Sequence, residues 1–200
     1  MKLFKAAVDL FYKNVASKTT RTEMNYFQTN VSFNGDFYYT ESQVQPGMMR
    51  NPNGKQFYLL PDSGNFDLGQ AVSEALFGCI ELKMHGVEFA KYAEENTERY
   101  LEWVDSLLSK YGYKNKTAVF KNMIVCTVTA QDGLIKISPT NHDRLDAWGG
   151  ILDDGLVGVE IPIDSAPEAL GRAVRVALSR CLNPYGLKRG LAPHNFDSYI

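Results

Sequence analysis

A polar segment in the second half of the chain carries the residue types of acid–base chemistry. His142 is followed at once by Asp143 and, four positions on, by Asp146. An imidazole can act as a general base near neutral pH, and either carboxylate could orient it. Side chains that are neighbours in a loop point in different directions, however, so this spacing does not establish a catalytic pair. The structural alternative, which the residue types favour, has Asn141 or Asp143 capping a short helical turn while Trp148 packs over a sheet edge.

Other chemistries find little support in the residue types. The sequence has no glycine-rich nucleotide motif, no GxSxG, no HExxH and no CxxC. Cys79, Cys126 and Cys181 are odd in number and widely spaced, so we expect small buried hydrophobic residues rather than disulfides or a zinc site. His85 and His194 have no partner at metal-ligand spacing. We therefore expect no metal and no cofactor.

Charge is distributed unevenly along the chain. The whole chain has a formal charge of −2, yet residues 132–168 hold eight acidic and two basic residues, a local sum of −6. This surplus argues against direct nucleic-acid binding there and suits a basic partner protein. Charge alone favours a plainer interpretation, a solvated loop surface. Asp9 and Lys13 interrupt any signal-peptide core and no apolar run could span a membrane, so we expect a cytosolic protein.

A gapless repeat predicts the scaffold that positions these residues. Nine residues recur 102 positions later in the chain, and they are Asp62, Ser63, Leu68, Gly69, Ala71, Val72, Ala75, Leu76 and Cys79. Each copy follows a short apolar run, which predicts a strand, a turn capped by an Asp-Ser pair, and a helix with small residues on one face. Repeats of this kind are supersecondary units that pack against one another.

The remaining elements follow from periodicity and turn signals. Asn34-Gly35 and Asp132-Gly133 predict tight type I′ hairpin turns. We predict strands at 25–33, 36–41, 56–60, 118–128 and 134–138, helices at 1–20, 66–80, 86–111 and 167–181, loops at 45–55 and 139–154, and an irregular extension at 182–200. The helix at 86–111 carries a face of Glu94, Glu95, Glu98, Glu102 and Asp105, interpreted as solvated. This order predicts a single α+β domain over residues 1–200, with an antiparallel or mixed sheet covered by helices.

From about residue 98 to residue 181, the chain resembles the bacterial immunity proteins of contact-dependent growth inhibition (CDI) systems. The resemblance rests on several motifs in order: YLEW at 100–103, KYGYKNKTAVFKNM at 110–123, ISPTNHD at 137–143, VEIPIDS at 159–165, Leu170-Gly171, and ALSRC at 177–181. It implies a small cytosolic protein that binds the C-terminal toxin domain delivered by a neighbouring cell and blocks it. Such toxins are often nucleases, so an acidic inhibitor surface would occupy a cleft built for a polyanion. On that basis we expect Asp143, Asp146, Asp153 and Asp154 to contact the toxin.

Three hypotheses therefore stand side by side. The first is a toxin-neutralising protein that forms a one-to-one complex with its cognate toxin domain. The second is a small cytosolic enzyme that uses His142, Asp143 and Asp146 on a polar substrate. The third is a structural protein that self-associates through the small-residue faces of the two repeated helices.

Overall fold

The computed structural model describes residues 26–45, 49–149 and 157–196. Its strands are β1 (Phe27–Phe33), β2 (Tyr38–Glu41), β3 (Gln43–Gln45), β4 (Met49–Arg50), β5 (Gln56–Leu59), β6 (Ile80–Glu81), β7 (Ile124–Gln131), β8 (Leu134–Pro139), β9 (Asn141–Arg144), β10 (Ala147–Gly149) and β11 (Val159–Pro162). Its helices are α1 (Asn65–Phe77), α2 (Val87–Tyr111), α3 (Lys116–Phe120), α4 (Pro167–Ser179) and α5 (Pro184–Leu187). The helix predicted at 1–20 lies outside the described residues, as do Asp153 and Asp154.

Six strands form the main sheet, in the order β11-β8-β7-β1-β2-β5. Every neighbouring pair in this sheet is antiparallel. The parallel pairing of β3 with β6 in a smaller sheet makes the whole arrangement mixed. The predicted α+β class is therefore confirmed.

The two repeat copies pack against each other on one face of this sheet. A Cβ atom built on Gly69 would lie 1.8 Å from the backbone oxygen of Pro167, and one built on Gly171 would lie 1.9 Å from that of Asn65. Asn65 and Pro167 are themselves 102 positions apart, so the contact is reciprocal, as in a local two-fold arrangement. The predicted packing of the copies is confirmed. The small-residue faces required by the self-association hypothesis are occupied within the chain.

The opposite face of the sheet is covered by α3, by Trp148 and by the long helix α2. Trp103, Val104 and Leu107 are the buried residues of this helix, and all three lie in its C-terminal half. They pack with aromatic residues of the sheet, among them Phe37 and Tyr39. Leu101 fits the apolar period of the helix, yet its side chain is 53% exposed. The N-terminal half of α2 contacts β4, where the Tyr92 hydroxyl donates to the Arg50 carbonyl and Asn96 accepts from the Arg50 N–H.

One of the two predicted type I′ turns is confirmed. Asp132 and Gly133 have φ angles of 50° and 79°, the left-handed values that this turn requires. Between β1 and β2, only Gly35 has a positive φ. The Asn34 side chain there accepts hydrogen bonds from the backbone N–H groups of Asp36 and Phe37. That turn is therefore built by the asparagine side chain, and the type I′ prediction for it is wrong.

The Asp-Ser pairs close turns and do not cap helices, contrary to the prediction. Gly64 and Ala166 occupy the N-cap positions of α1 and α4, without a side-chain cap. The backbone N–H of Ser63 donates to the Leu60 carbonyl, and that of Ser165 donates to the Pro162 carbonyl. The recurrence thus marks an identical turn between strand and helix.

Three further predictions need correction. The predicted strand at 118–128 begins as helix α3, because the Asn115 side chain accepts a hydrogen bond from the Ala118 N–H and caps it. The predicted loops at 45–55 and 139–154 contain the short strands β4, β9 and β10. In the predicted irregular extension, α5 forms a single helical turn and Phe196 is buried in the core, 2% exposed.

The cysteines are packing residues, as predicted. Cys79 and Cys126 are buried and Cys181 is half-buried, and all three are free thiols. Burial raises the pKa of the Cys181 thiol to about 12, which keeps it protonated and unreactive at neutral pH.

Candidate functional site

The polar segment around His142 folds as the hairpin of β9 and β10 at one end of the main sheet. Its anchor is Trp148, whose indole N–H donates to the Met123 carbonyl at 3.0 Å. The Trp148 ring stacks on His142 with centroids 4.8 Å apart. Leu182 adds two backbone hydrogen bonds, one to the Thr140 carbonyl and one from the His142 N–H. Trp148 thus has a packing role, as the structural alternative predicts, but it lies beside the start of the interior strand β7 and not at an edge strand. The predicted helical turn is wrong, because Asn141 and Asp143 lie in β9.

His142 is a buried structural residue of this hairpin. Its side chain is 0% exposed and its Nε2 lies 3.1 Å from the Leu145 carbonyl oxygen. Because a carbonyl only accepts, the hydrogen of this contact lies on Nε2, as it does in one tautomer of the neutral ring. Burial lowers the pKa of His142, which favours that form. Among the described hydrogen bonds none joins His142 to Asp143 or Asp146, so the predicted catalytic pair is not formed.

Asp146 ties the hairpin to the helices. Its Oδ2 lies 2.6 Å from Lys116 Nζ and accepts a hydrogen bond from the Tyr100 hydroxyl at 3.2 Å. The hydrogen bond from Lys116 holds the pKa of Asp146 below its usual range. An ion pair this exposed contributes little to stability, at most about 1 kcal/mol. Asp146 is thus already engaged within the protein, whereas Asp143 is exposed.

The acidic surplus of residues 132–168 does not form one patch on the described surface. Asp132 precedes β8 and Asp143 follows it, and six strand residues span about 20 Å. Glu160 lies 3.7 Å from Lys136 on the neighbouring strand. The charge sum of the sequence therefore overstates the field at the hairpin. No group of three His, Cys, Asp or Glu residues within the described ranges is arranged to hold a metal ion.

A continuous acidic surface lies instead on the outer side of α2. Glu94, Glu98 and Asp105 follow helical spacing on one face, and exposed Leu101 lies among them. Glu95 is paired with Lys91 and Arg99, whereas Glu94, Glu98, Glu102 and Asp105 take part in none of the described salt bridges. We call these four acidic residues together with Leu101 the α2 ridge. The acidic half of the ridge was visible in the sequence, but the exposure of Leu101 was not.

A polar cleft borders the α2 ridge on the side of β4 and β5. It has a volume of about 400 Å³, and Arg50, Gln56, Arg99, Glu102, Trp103 and Ser106 line it. Inside, the Arg50 guanidinium is 2.9 Å from Glu41 and 4.1 Å from the Trp103 ring. The buried indole N–H of Trp103 lies beside the Tyr58 hydroxyl, and the buried Nε of Arg99 has no acceptor among the described residues. No pattern of residues predicted this cleft, because its walls come from segments about 50 positions apart.

Acidification is expected to lower the free energy of unfolding below about pH 6.5. Burial depresses the pKa of His142 and of His194, so the unfolded chain binds protons in a range where the folded protein does not. The stabilisation from these two groups is complete above the unfolded pKa and is lost as the pH falls toward the folded values. Urea denaturation between pH 7.5 and 5.5 measures it. Replacing His142 and His194 with glutamine should flatten the profile, whereas H85Q at exposed His85 should not; an unchanged slope in the double variant would contradict the assignment.

None of the described helices is long and apolar enough to cross a membrane.

Comparison with known proteins identifies the family of this chain. Residues 28–181 match the family described as CdiI, CDI immunity protein. This range begins at the second residue of β1 and ends just after α4, so it contains all of the main sheet except Phe27, and both repeat copies.

Individual relatives agree with the family match. The immunity protein CdiI-YPIII of Yersinia pseudotuberculosis serotype O:3 is 37% identical over 143 residues, covering 66% of this chain and 81% of that protein. A chain of the CdiA-CT/CdiI toxin and immunity complex from Yersinia pseudotuberculosis superposes with a TM-score of 0.68 at 33% identity, over 78% of this chain and 97% of that chain. A protein of unknown function from Neisseria meningitidis gives a TM-score of 0.71 at 28% identity, over 82% of this chain and 99% of that chain. The chain with the paired repeat helices and the polar hairpin belongs to the CDI immunity protein family.

Proposed function

We propose that this protein binds the C-terminal toxin domain of a CDI system and neutralises it in a one-to-one complex. The observation that carries the proposal is the superposition on a chain of a toxin and immunity complex, which extends over nearly the whole of that chain. The site geometry is consistent with a binding role, because His142 is enclosed by the hairpin and has no carboxylate partner among the described hydrogen bonds. Catalysis by His142 therefore has no geometric support.

The proposal includes the nature of the toxin and the place of action. The toxin is a nuclease, and the immunity protein acts in the cytosol by covering the cleft that would hold the nucleic acid. What supports this is the number of exposed carboxylates outside internal ion pairs, Asp143 and the acidic residues of the α2 ridge among them. Carboxylates that face a phosphate-binding cleft gain electrostatic complementarity and exclude the substrate.

Calorimetric titration tests the proposed function directly. The partner is the catalytically inactive toxin domain encoded immediately upstream of the gene, and the titration is run at two salt concentrations. We expect one-to-one binding in the nanomolar range or tighter that weakens at higher salt. Expression of the protein should also protect cells that produce the active toxin. A folded toxin domain that neither binds nor is neutralised would overturn the proposal.

The carboxylates that the sequence predicts to contact the toxin can be tested by charge reversal. We propose that Asp143, Asp153 and Asp154 contact the toxin and that Asp146 holds the hairpin in place. The pair D153K/D154K is expected to weaken binding about 10-fold or more, because like charges would then face each other. The matched control is D62K/D164K, which changes the charge by the same amount at exposed, repeat-equivalent turns. Equal affinity of both double variants would remove Asp153 and Asp154 from the interface.

A further inference from the structure

A column of stacked planar side chains runs from the hairpin to the surface at α5. The Trp148 ring stacks on His142, and the centroid of the Tyr185 ring lies 5.2 Å from that of His142. The Arg189 guanidinium ends the column, 3.6 Å from the centroid of the Tyr185 ring, and donates to the Tyr185 carbonyl at 2.9 Å. A guanidinium stacked in this way is held in place before a partner arrives, so binding costs it little conformational entropy.

The backbone of α5 is fixed to the rest of the fold. The Asn183 side-chain oxygen accepts from the Gly186 N–H at 2.8 Å, and its amide nitrogen donates to the Lys121 carbonyl at 3.1 Å. Leu182, just before this turn, makes its two backbone hydrogen bonds to the strand side of the hairpin. The exposed side chains of α5 are therefore presented from a fixed position next to β9.

These exposed side chains are basic and apolar. Residues 169–196 contain five basic residues and no Asp or Glu. Lys188 and Arg189 are exposed and take part in none of the described salt bridges. Leu182 and Leu187 are 45% and 54% exposed, and both line a small cavity of about 80 Å³. We call Leu182, Leu187, Lys188 and Arg189 the α5 surface.

The composition of the α5 surface indicates the kind of partner that it fits. A nucleic acid backbone is bound by several Lys and Arg contacts to successive phosphates. The α5 surface instead combines two cations with two exposed leucines, which only a protein partner would bury. A fixed guanidinium also binds a carboxylate through two parallel hydrogen bonds. An acidic polypeptide segment therefore fits this surface better than a nucleic acid does.

We propose that the α5 surface binds an acidic segment of the toxin domain, with Arg189 as the anchor for one of its carboxylates and Leu182 and Leu187 in contact with an apolar side chain. This inference rests on the proposed function. Because α5 follows residue 181, where the family match ends, the contact adds specificity for the cognate toxin to what the shared fold provides. Asp143 on the adjacent β9 is acidic, so the toxin meets charges of both signs, which fix its orientation.

Binding kinetics with inactive toxin test the anchor. Arg189→Glu is expected to raise the dissociation rate about 10-fold or more, because it places a carboxylate where the toxin presents another. Arg189→Lys keeps the charge but lacks the planar set of donors, so its rate should lie between those of wild type and Arg189→Glu. The matched control is Arg172→Glu, which makes the same change of charge on the exposed side of α4 and should change the rate less than about twofold. Thermal melting checks that each variant is folded.

The apolar part of the α5 surface is tested with a second pair of variants. Leu187→Ser is expected to raise the dissociation rate about 5-fold, whereas Leu60→Ser, at a leucine that is 66% exposed after β5, should leave it unchanged. Amide hydrogen exchange of residues 182–191 should slow when the toxin binds. Wild-type kinetics for both Arg189→Glu and Leu187→Ser would overturn the proposed surface while leaving the proposed function intact, and a loss of RNA binding in the same variants would then assign it to nucleic acid. Failure of the wild-type protein to bind folded toxin would overturn both.

Discussion

Gly171→Ala is expected to destabilise the protein by about 3 kcal/mol or more, a large part of the 5–15 kcal/mol typical of a folded domain. The added Cβ would lie 1.9 Å from the backbone oxygen of Asn65, far inside van der Waals contact. Neither atom belongs to a flexible side chain, so α1 and α4 would have to move apart along their shared core. Gly69→Ala should have a similar effect, because it meets the Pro167 oxygen in the reciprocal contact at 1.8 Å. Within an exposed helix the same substitution would add stability, so the sign of the effect is diagnostic.

Equilibrium urea denaturation measures both variants against a matched control. Gly64 precedes α1, and a Cβ there would have its nearest neighbour, an oxygen of Asp67, at 3.9 Å. Gly64→Ala should therefore lower the free energy of unfolding by no more than about 1 kcal/mol, the difference between glycine and alanine at a helix N-cap. A loss below about 1 kcal/mol in both Gly69→Ala and Gly171→Ala would show that the two helices are not in backbone contact. Since these helices cover the face of the sheet opposite α2, toxin binding should fall only as far as the folded fraction falls.

The repeat was the part of the fold that the sequence could predict best. Its small residues, including Gly69 and Gly171, encode a close approach of two backbones, and both partners carry the same pattern. The turn at Asp132-Gly133 could also be predicted, because the conformation of a two-residue hairpin turn is determined by the residues within it. In both cases the physical cause lies within a few positions of the structure it produces.

Predictions failed where a polar side chain competes with the apolar pattern. The apolar run from Ala118 to Val128 is typical of a strand, yet the Asn115 side chain turns its first residues into α3. Asn34 builds its turn through its own side chain rather than through backbone φ. The strands β9 and β10 carry no alternating apolar pattern, and Trp148 anchors them through long-range contacts. Such hydrogen bonds determine the local structure, but they cannot be predicted from the apolar period of the sequence.

The candidate site was predicted in its residue types but not in its geometry. Asp146 is bound by Lys116, 30 positions earlier, and Asp132 and Asp143 lie at opposite ends of β8. A sum of charges along the chain contains neither fact. The exposure of Leu101 likewise depends on which strands lie beneath α2, and the helical period alone does not contain that information.

We expect Arg175→Met to lower the free energy of unfolding by about 2–4 kcal/mol, although the two side chains are similar in length. Arg175 is 0% exposed, the largest fully buried side chain of the described core. Its guanidinium donates to the Tyr38 hydroxyl at 2.6 Å, to Asn65 Oδ1 at 2.9 Å and to the Ser63 carbonyl. It thereby joins α4 to β2 and to the turn before α1. Methionine fills much of the space but leaves one buried and two half-buried oxygen acceptors without these donors.

The network character of Arg175 can be measured with a double-mutant cycle. Tyr38→Phe alone should lower the free energy of unfolding by about 1 kcal/mol, the usual contribution of one hydrogen bond. In the Arg175→Met background the same substitution should lower it clearly less, because the arginine donor is already absent. Arg175→Lys keeps the charge but lacks the planar set of donors, so it should fall between wild type and Arg175→Met. Arg172→Met, on the exposed side of the same helix, should change stability by less than about 0.5 kcal/mol. Additive effects of Tyr38→Phe and Arg175→Met would mean that the two side chains are not coupled, and that the cost of removing Arg175 arises from packing alone.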